Sequence, residues 1–391
     1  MGKKSVFITA CAVALSVACS LTGAYWYLYC RDALSRPAAP VGLQPDTDRL
    51  TLVFTGDLMQ HLPQVQAAVR RDGTIDYTAC FSRLKNYFSD ADFVISNLET
   101  TLGDPPYLGY PCFRAPVALA GAMRSAGIDV AALANNHICD QGGKGIRSTV
   151  GALREAGLRS TGAYADTAAE TVRQPVVLEK NGFRVALFNY TYGTNGLPVP
   201  AGCAVNRIDT LRMRGDIASA RAAGATHVAL LLHWGNEYEP RPNAAQRSLA
   251  AWCHRQGADW VIGSHPHVVQ SVETVADGAG SVRGVTVFSM GNFVSNQRMA
   301  GTDGSISVRL TLRRAHDGSV ACDPEYLIHW TCISADPGSL SGRRYEVVPA
   351  FSHSTVPEGC RSGFDRFVSR TRDYMSRYSS GFKEIVDDYR P

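Results

Sequence analysis

WVIGSHPHV, residues 260–268, sets two histidines either side of one proline where an apolar run ends. Trp260-Val261-Ile262 has the length and β-branched content of a short buried strand, and Gly263-Ser264 closes it. His265 and His267 are therefore expected in the loop that leaves the strand's C-terminal end. In an extended segment residues two apart point the same way, so both imidazoles would face one point, with Pro266 stiffening the step. That arrangement suits a metal ion. Taken alone, an H-x-H step is more often a pair of satisfied loop histidines, so its meaning depends on what the neighbouring units deliver.

Working outward, strand-like runs alternate with amphipathic helices that end in glycine. NAAQRSLAAWCHRQG (243–257) precedes the opening stretch, THVALLLHWGNEY (226–238) precedes that, and DTLRMRGDIASARAAG (209–224) comes before it. Further back lies PVVLEKNGFRVALFNYTY (175–192), a hairpin whose Asn181-Gly182 is the strongest short turn signal in the chain. Towards the N-terminus LTLVFTGD (50–57), DFVISNLE (92–99) and IDVAALANNH (128–137) alternate with helical stretches, among them PVALAGAMRSAG (116–127) and GIRSTVGALREAG (145–157). Towards the C-terminus GVTVFSMGNF (284–293) and the alternating SISVRLTL (305–312) add strands. This order means an α/β fold, mostly parallel at its centre with antiparallel additions.

Polar groups collect at the end of each strand. Asp57 ends the first, Asn97 and Glu99 the second, and Asn135, Asn136 and His137 the third; His233 and Glu237 follow VALLL, and Asn292 follows VTVFSMG. In open α/β sheets ligands bind beyond the carboxyl ends of the strands, so these residues are expected to converge with His265 and His267. A single polar residue there is commonly a helix cap; a run of such ends is not explained by caps alone. Mixed carboxylate, imidazole and amide-oxygen donors suit Mn, Fe or Zn, one or two ions, rather than a soft thiolate metal. Asp57 and Glu99 are the carboxylate candidates, and His137 is placed to donate a proton to a leaving group. Glu237 is either a site residue or a surface partner of Arg241. Asn135 is a helix cap or a substrate contact, and Asn195-Gly196 a turn or a substrate loop.

Bulk composition agrees with a globular chain long enough to bury a sizeable core. The 391 residues are 45% hydrophobic and 19% charged, and a formal charge of +4 from 39 basic and 35 acidic residues includes no polybasic block, which argues against nucleic acid as a partner. The N-terminus carries Lys3 and Lys4, then an uncharged stretch from Val6 to Cys30. That exceeds a signal-peptide core and meets the roughly 20 residues needed to span a bilayer, with Tyr25, Trp26, Tyr27 and Tyr29 as an aromatic belt. Residues 1–30 are thus expected to be a single-pass membrane anchor, 31–49 a proline-rich tether, 50–335 the main domain and 336–391 an extension with a terminal helix, the whole beyond the anchor extracytoplasmic. A cleaved signal peptide and a lipoprotein signal at Cys11 or Cys19 are the alternatives. Eight of the eleven cysteines lie beyond the anchor, an even number compatible with disulfides or with free buried thiols.

Seven motifs in order, FTGDLM (54–59), NLET (97–100), ANNHICDQG (134–142), YGTNG (192–196), HWGNEYEPRPNAAQ (233–246), GADWVIGSHPHVVQ (257–270) and FSMGNFVSNQ (288–297), resemble the CapA-type capsule-biosynthesis, poly-γ-glutamate-synthesis family. The resemblance implies a four-layer α/β/β/α sandwich similar to the calcineurin-like metallophosphoesterases, behind one N-terminal transmembrane helix. It implies that Asp57, Glu99 and His267 hold one ion, that Glu99, Asn136, His233 and His265 hold another, and that His137 is the catalytic acid; His137, Asp57 and, from its place after His233, Glu237 are the catalytic candidates. Asn97, Asn135, Asn195 and Asn292 would then contact substrate. Where phosphoesterases carry D-x-H, this chain has Met59, a poor ligand for a hard cation, so the first ion would need His61 or water. The implied function is a metal-dependent hydrolase of amide or phosphoester bonds acting with capsule synthase components on an anionic envelope polymer such as poly-γ-glutamate; the alternative is a non-catalytic polymer- or synthase-binding subunit on an inherited fold.

Overall fold

A computed structural model describes residues 48–168, 174–276 and 282–387. The expected anchor and nearly all of the tether lie outside the described residues, among which no helix is long and apolar enough to cross a membrane.

Strands β1 (Arg49–Leu58), β2 (Phe93–Leu98), β3 (Val130–Ala132) and β4 (Arg159–Thr161) lie side by side and parallel. A second sheet follows: β5 (Val176–Lys180), β6 (Phe183–Thr191), β7 (His227–His233), β8 (Trp260–Ser264), β9 (Val272–Ala276) and β10 (Val282–Val287), in the spatial order β9-β10-β8-β7-β6-β5. Its four central strands are parallel, and β5 and β9 are antiparallel edges. The chain then returns to the first sheet with the antiparallel strands β11 (Gly304–Arg314), β12 (Val320–Ala335) and β13 (Arg343–Pro349), giving the order β13-β12-β11-β1-β2-β3-β4. The fold is mixed α/β with parallel centres, as the alternation of runs implied.

Period-two patterning sorts the strand residues into layers. Leu50, Leu52 and Phe54 point inward and pack with Leu187, Leu231 and Ile262 of the second sheet, while Val53 points the other way onto helical residues such as Leu84, Phe88 and Leu119. Helices α1 (Leu62–Ala68), α2 (Thr78–Phe81), α3 (Lys85–Ser89), α4 (Ala118–Ala126) and α5 (Gly142–Glu155) belong to the first sheet; α6 (Thr210–Ala222) and α7 (Ala244–Arg255) cover the second through Met213, Ile217, Ala250 and Cys253. Two sheets thus meet face to face between two helical layers. The β5–β6 turn has φ of 51° at Asn181 and 75° at Gly182, the two left-handed positions a type I′ hairpin demands. Asp209 caps α6 by accepting from the Leu211 and Arg212 amides, and Asn243 with Gln246 forms a reciprocal capping box on α7.

The C-terminal residues join the same body. β13 is an edge strand of the first sheet, and α8 (Glu358–Tyr378) places Phe364, Phe367, Val368 and Met375 in the core between the sheets. Within β12, His329 is fully buried with Nε2 2.7 Å from Ser307 Oγ and no partner for Nδ1. Burial lowers its pKa to about 3. An imidazole depressed in the folded state binds its proton more readily when unfolded, so its contribution to stability is complete above about pH 6.5 and is lost as pH falls towards 3. The expected loss at pH 3 is roughly 4–5 kcal/mol. Denaturant unfolding of His329→Gln across this range should show an acid-side slope reduced by about one proton; an unchanged slope would assign the sensitivity elsewhere.

Candidate metal centre

Strand ends from both sheets open onto one buried point. In β1 an extra residue, Gly56, shifts the register with β2, pairing Thr55 with Ser96 but Asp57 with Asn97. A bulge of this kind reverses the side-chain alternation that follows it, and so turns Asp57 inward. Only glycine fits there, because a Cβ would stand 2.0 Å from the Gly291 carbonyl oxygen.

Asp57, Asn97, Glu99, Asn136, His233, His265, His267 and Asn292 are all buried at this point. Asn97 Nδ2 donates to Asp57 Oδ1 at 2.8 Å. His233 Nε2 is 2.8 Å from Asn136 Oδ1 and 3.6 Å from Glu99 Oε1, and its Nδ1 is 3.0 Å from Ser264 Oγ. His267 Nδ1 lies 3.0 Å from Asn292 Oδ1 and 3.2 Å from Asp57 Oδ2, with Nε2 3.9 Å from Glu99 Oε1. Two donor groups result, each with ligand atoms within 4.8 Å of one another: Glu99, His265 and His267, and Asp57, Glu99 and His233. Glu99 is shared by both; Met59 and His61 belong to neither. The same short distances also join His267 to Asp57 and His233 to Asn136, so the groups overlap around Glu99.

The HPH step is not extended. His265 has φ of 100° and His267 φ of 60°. Two left-handed residues flanking Pro266, rather than strand alternation, bring the rings to 5.9 Å between centroids. Such backbone costs of order 1–3 kcal/mol per residue for a side chain with a Cβ, and it persists here because the segment is over-determined: the His265 amide donates to Asp57 Oδ2 and the Tyr238 amide to the Pro266 carbonyl.

The charges at this point are ones that a bound cation would ease. Burial, then the neighbouring Asp57, Glu237 and Asp140 carboxylates, raises the Glu99 carboxyl well above its ordinary range. Burial, then the other imidazoles, holds His233 well below its ordinary value, and His265 is lowered to about 3 chiefly by burial. Neutral imidazoles are the ligand form, and a carboxyl crowded by other carboxylates gains most from an added positive charge. Glu99 Oε1, Asn97 Oδ1 and His265 Nδ1 are buried with no hydrogen-bond partner, although buried polar atoms are nearly always paired. The residues present therefore fit a divalent ion of the Mn, Fe or Zn kind.

The remaining candidates take different positions. His137 lies beside the cluster with Nδ1 2.8 Å from Asp140 Oδ2, and the Phe113 ring packs edge-on at 4.6 Å between centroids. Asn135 spends its amide on backbone, donating to the Leu98 carbonyl and accepting from the His137 amide. Asn195 Oδ1 accepts from Asn136 Nδ2 at 3.2 Å, and Asn292 donates to the Thr302 carbonyl while facing His267. Glu237 is exposed at the rim, beside Tyr238. Sequence reading missed Asp140, Ser264 and Tyr192. Asp140 stands three residues after His137, a spacing that could have flagged it; Tyr192, half-exposed with its ring 4.6 Å from that of His265, heads the YGTNG motif, in which only Asn195 and Gly196 were given roles.

Residues 51–297 match the family model described as bacterial capsule synthesis protein PGA_cap. The chain is 30% identical over 281 residues to the capsule biosynthesis protein CapA of Bacillus anthracis, covering 68% of this chain and 65% of that one. It is 27% identical over 297 residues to the PGA biosynthesis protein CapA of Bacillus subtilis, covering 71% of each. It is 30% identical over 199 residues to a probable polyglutamine synthesis accessory protein of Mycobacterium tuberculosis, 46% of this chain and 51% of that one. The match thus spans about two thirds of the length of the two Bacillus relatives. Among solved structures it is similar to the NAD nucleotidase of Haemophilus influenzae, with a TM-score of 0.44 and 8% identity over 87% of this chain and 57% of that one. A 5'-nucleotidase from Candida albicans gives 0.40 and 11% over 71% of this chain and 50% of that one.

Proposed function

The chain belongs to the bacterial capsule synthesis protein family PGA_cap, and on that premise we propose that it is a membrane-anchored, extracytoplasmic metal-dependent hydrolase that works with the capsule machinery on an anionic polymer of the poly-γ-glutamate kind. The observation that carries the reading is the buried Glu99 carboxylate, unpartnered at Oε1 and ringed by His233, His265, His267 and Asp57. Those five residues would hold a divalent cation. Such an ion, when bound, polarises an acyl or phosphoryl oxygen and acidifies water.

His137 supplies the proton chemistry. Asp140 Oδ2 would accept a hydrogen bond from Nδ1–H, so that the doubly protonated ring gives its Nε2 proton to the leaving group and keeps the one on Nδ1. Phe113 keeps water from that face of the ring. At the rim Arg207, exposed and hydrogen-bonded to the Tyr192 carbonyl and Thr194 hydroxyl, would meet a polymer carboxylate.

The test is metal analysis of the purified chain beside a His233→Ala/His265→Ala variant, both assayed on γ-glutamyl polymer and on a simple phosphoester. The expected result is a stoichiometric divalent metal and polymer cleavage in the wild type, with both lost in the variant. A wild type that binds metal but cleaves neither substrate would favour the second reading, a non-catalytic binding subunit. The specific observation on that side is Met59, buried and outside both donor groups.

A further inference from the structure

We propose that Cys332 and Cys360 form a disulfide that fastens α8 to β12. Both are thiols here, packed in or against the one apolar cluster between the sheets, and burial together with the neighbouring Cys360 raises the Cys332 thiol. Cys360 Sγ also lies 3.4 Å from the carbonyl oxygen of Ile333, the residue next to Cys332. Cys332 shares a face of β12 with Trp330, two residues before it, and both belong to the core between the sheets. On α8 the residues that meet this face are spaced as a helical stripe: Cys360, Gly363 and Phe364. A Cβ on Gly363 would come within 2.8 Å of Trp330 Cζ2, and the Phe364 ring packs edge-on against Trp330 at 6.2 Å. Helix and strand therefore meet in one register, and the thiol pair sits at one end of it.

Cys360 is partly exposed and Cys332 fully buried, which sets the order of events. With a small-molecule disulfide such as oxidised glutathione, the Cys360 thiolate attacks one sulfur and releases one glutathione thiolate. Cys332, giving up its proton, then attacks Sγ of the mixed disulfide and releases the second. One S–S bond breaks in the oxidant and one forms in the protein; two protein thiols are oxidised and two glutathione thiols appear.

The link would reach the rim of the metal centre through the far end of the same helix. Tyr374 donates to the Pro240 carbonyl at 2.5 Å and Arg241 donates to the Tyr378 hydroxyl at 2.7 Å. Those contacts hold the segment that carries Glu237 and Tyr238.

The experiment treats the full chain with oxidised glutathione, blocks remaining thiols with an alkylating agent, digests it unreduced and reads the peptides by mass spectrometry. The expected result is one linked pair carrying Cys332 and Cys360, lost on reduction. Closing a loop of about 30 residues should also raise the unfolding midpoint by on the order of 5–10 °C over the reduced protein. Cys360→Ser, at the less buried position, should fold, lack the linked pair and show a midpoint indifferent to reductant. Recovery of both residues as alkylated thiols from the oxidised protein, or linkage to another cysteine, would overturn the proposal. So would a Cys360→Ser protein that keeps the full response to reductant.

Discussion

Glu99→Gln should fold like the wild type yet lose at least about 100-fold in divalent-cation affinity. Folding is preserved because the side chains are isosteric and because burial beside other carboxylates already favours an uncharged group at this position. Affinity is lost because Glu99 alone belongs to both donor groups, and a neutral amide oxygen offers no charge to offset an ion's desolvation. Titration calorimetry with Mn or Zn reads the affinity, and the unfolding midpoint in chelator reads the fold. The thermal stabilisation that a tightly bound cation confers, about 2.7 kcal/mol at 100 times its dissociation constant, should vanish with it. A variant that binds the ion as tightly as the wild type would remove Glu99 from the centre.

His137→Ala should do the opposite, leaving metal content intact while turnover on the cleaved substrate falls by about 10²–10⁴. The reason is positional: His137 stands outside both donor groups and faces Asp140. Asp140→Asn should give a smaller loss, together with a changed pH profile, since the amide no longer fixes the proton on Nδ1. Equal loss of metal and turnover in His137→Ala would make it a ligand instead.

Much of this was readable in the chain because local chemistry dictated it. Asn181-Gly182 could only be a tight hairpin, and Asp209 and Asn243 announced their helices. The polar strand ends pointed to a common crevice because parallel sheets leave one there. What escaped depended on distant contacts. The bulge at Gly56 is imposed by the Gly291 backbone, which no sequence window around residue 56 contains. The left-handed backbone at His265 and His267 defeats the alternation expected of an extended step, since its hydrogen bonds come from Asp57 and Tyr238. From sequence Asn135 stays open between a cap and a substrate contact, because the Leu98 carbonyl that its side chain meets comes from the neighbouring strand β2.

One property of the centre follows from its parentage. Asp57, Asn97, Glu99 and Asn136 come from the first sheet, whereas His233, His265 and His267 come from the second. Acids and bases are thus dealt to opposite halves of the sandwich, and neither half can retain a cation unaided. A slip of one half along the other by a few ångströms would scatter the donor set while both apolar interiors stayed dry, so any cation-dependent role would fail well before the shape does.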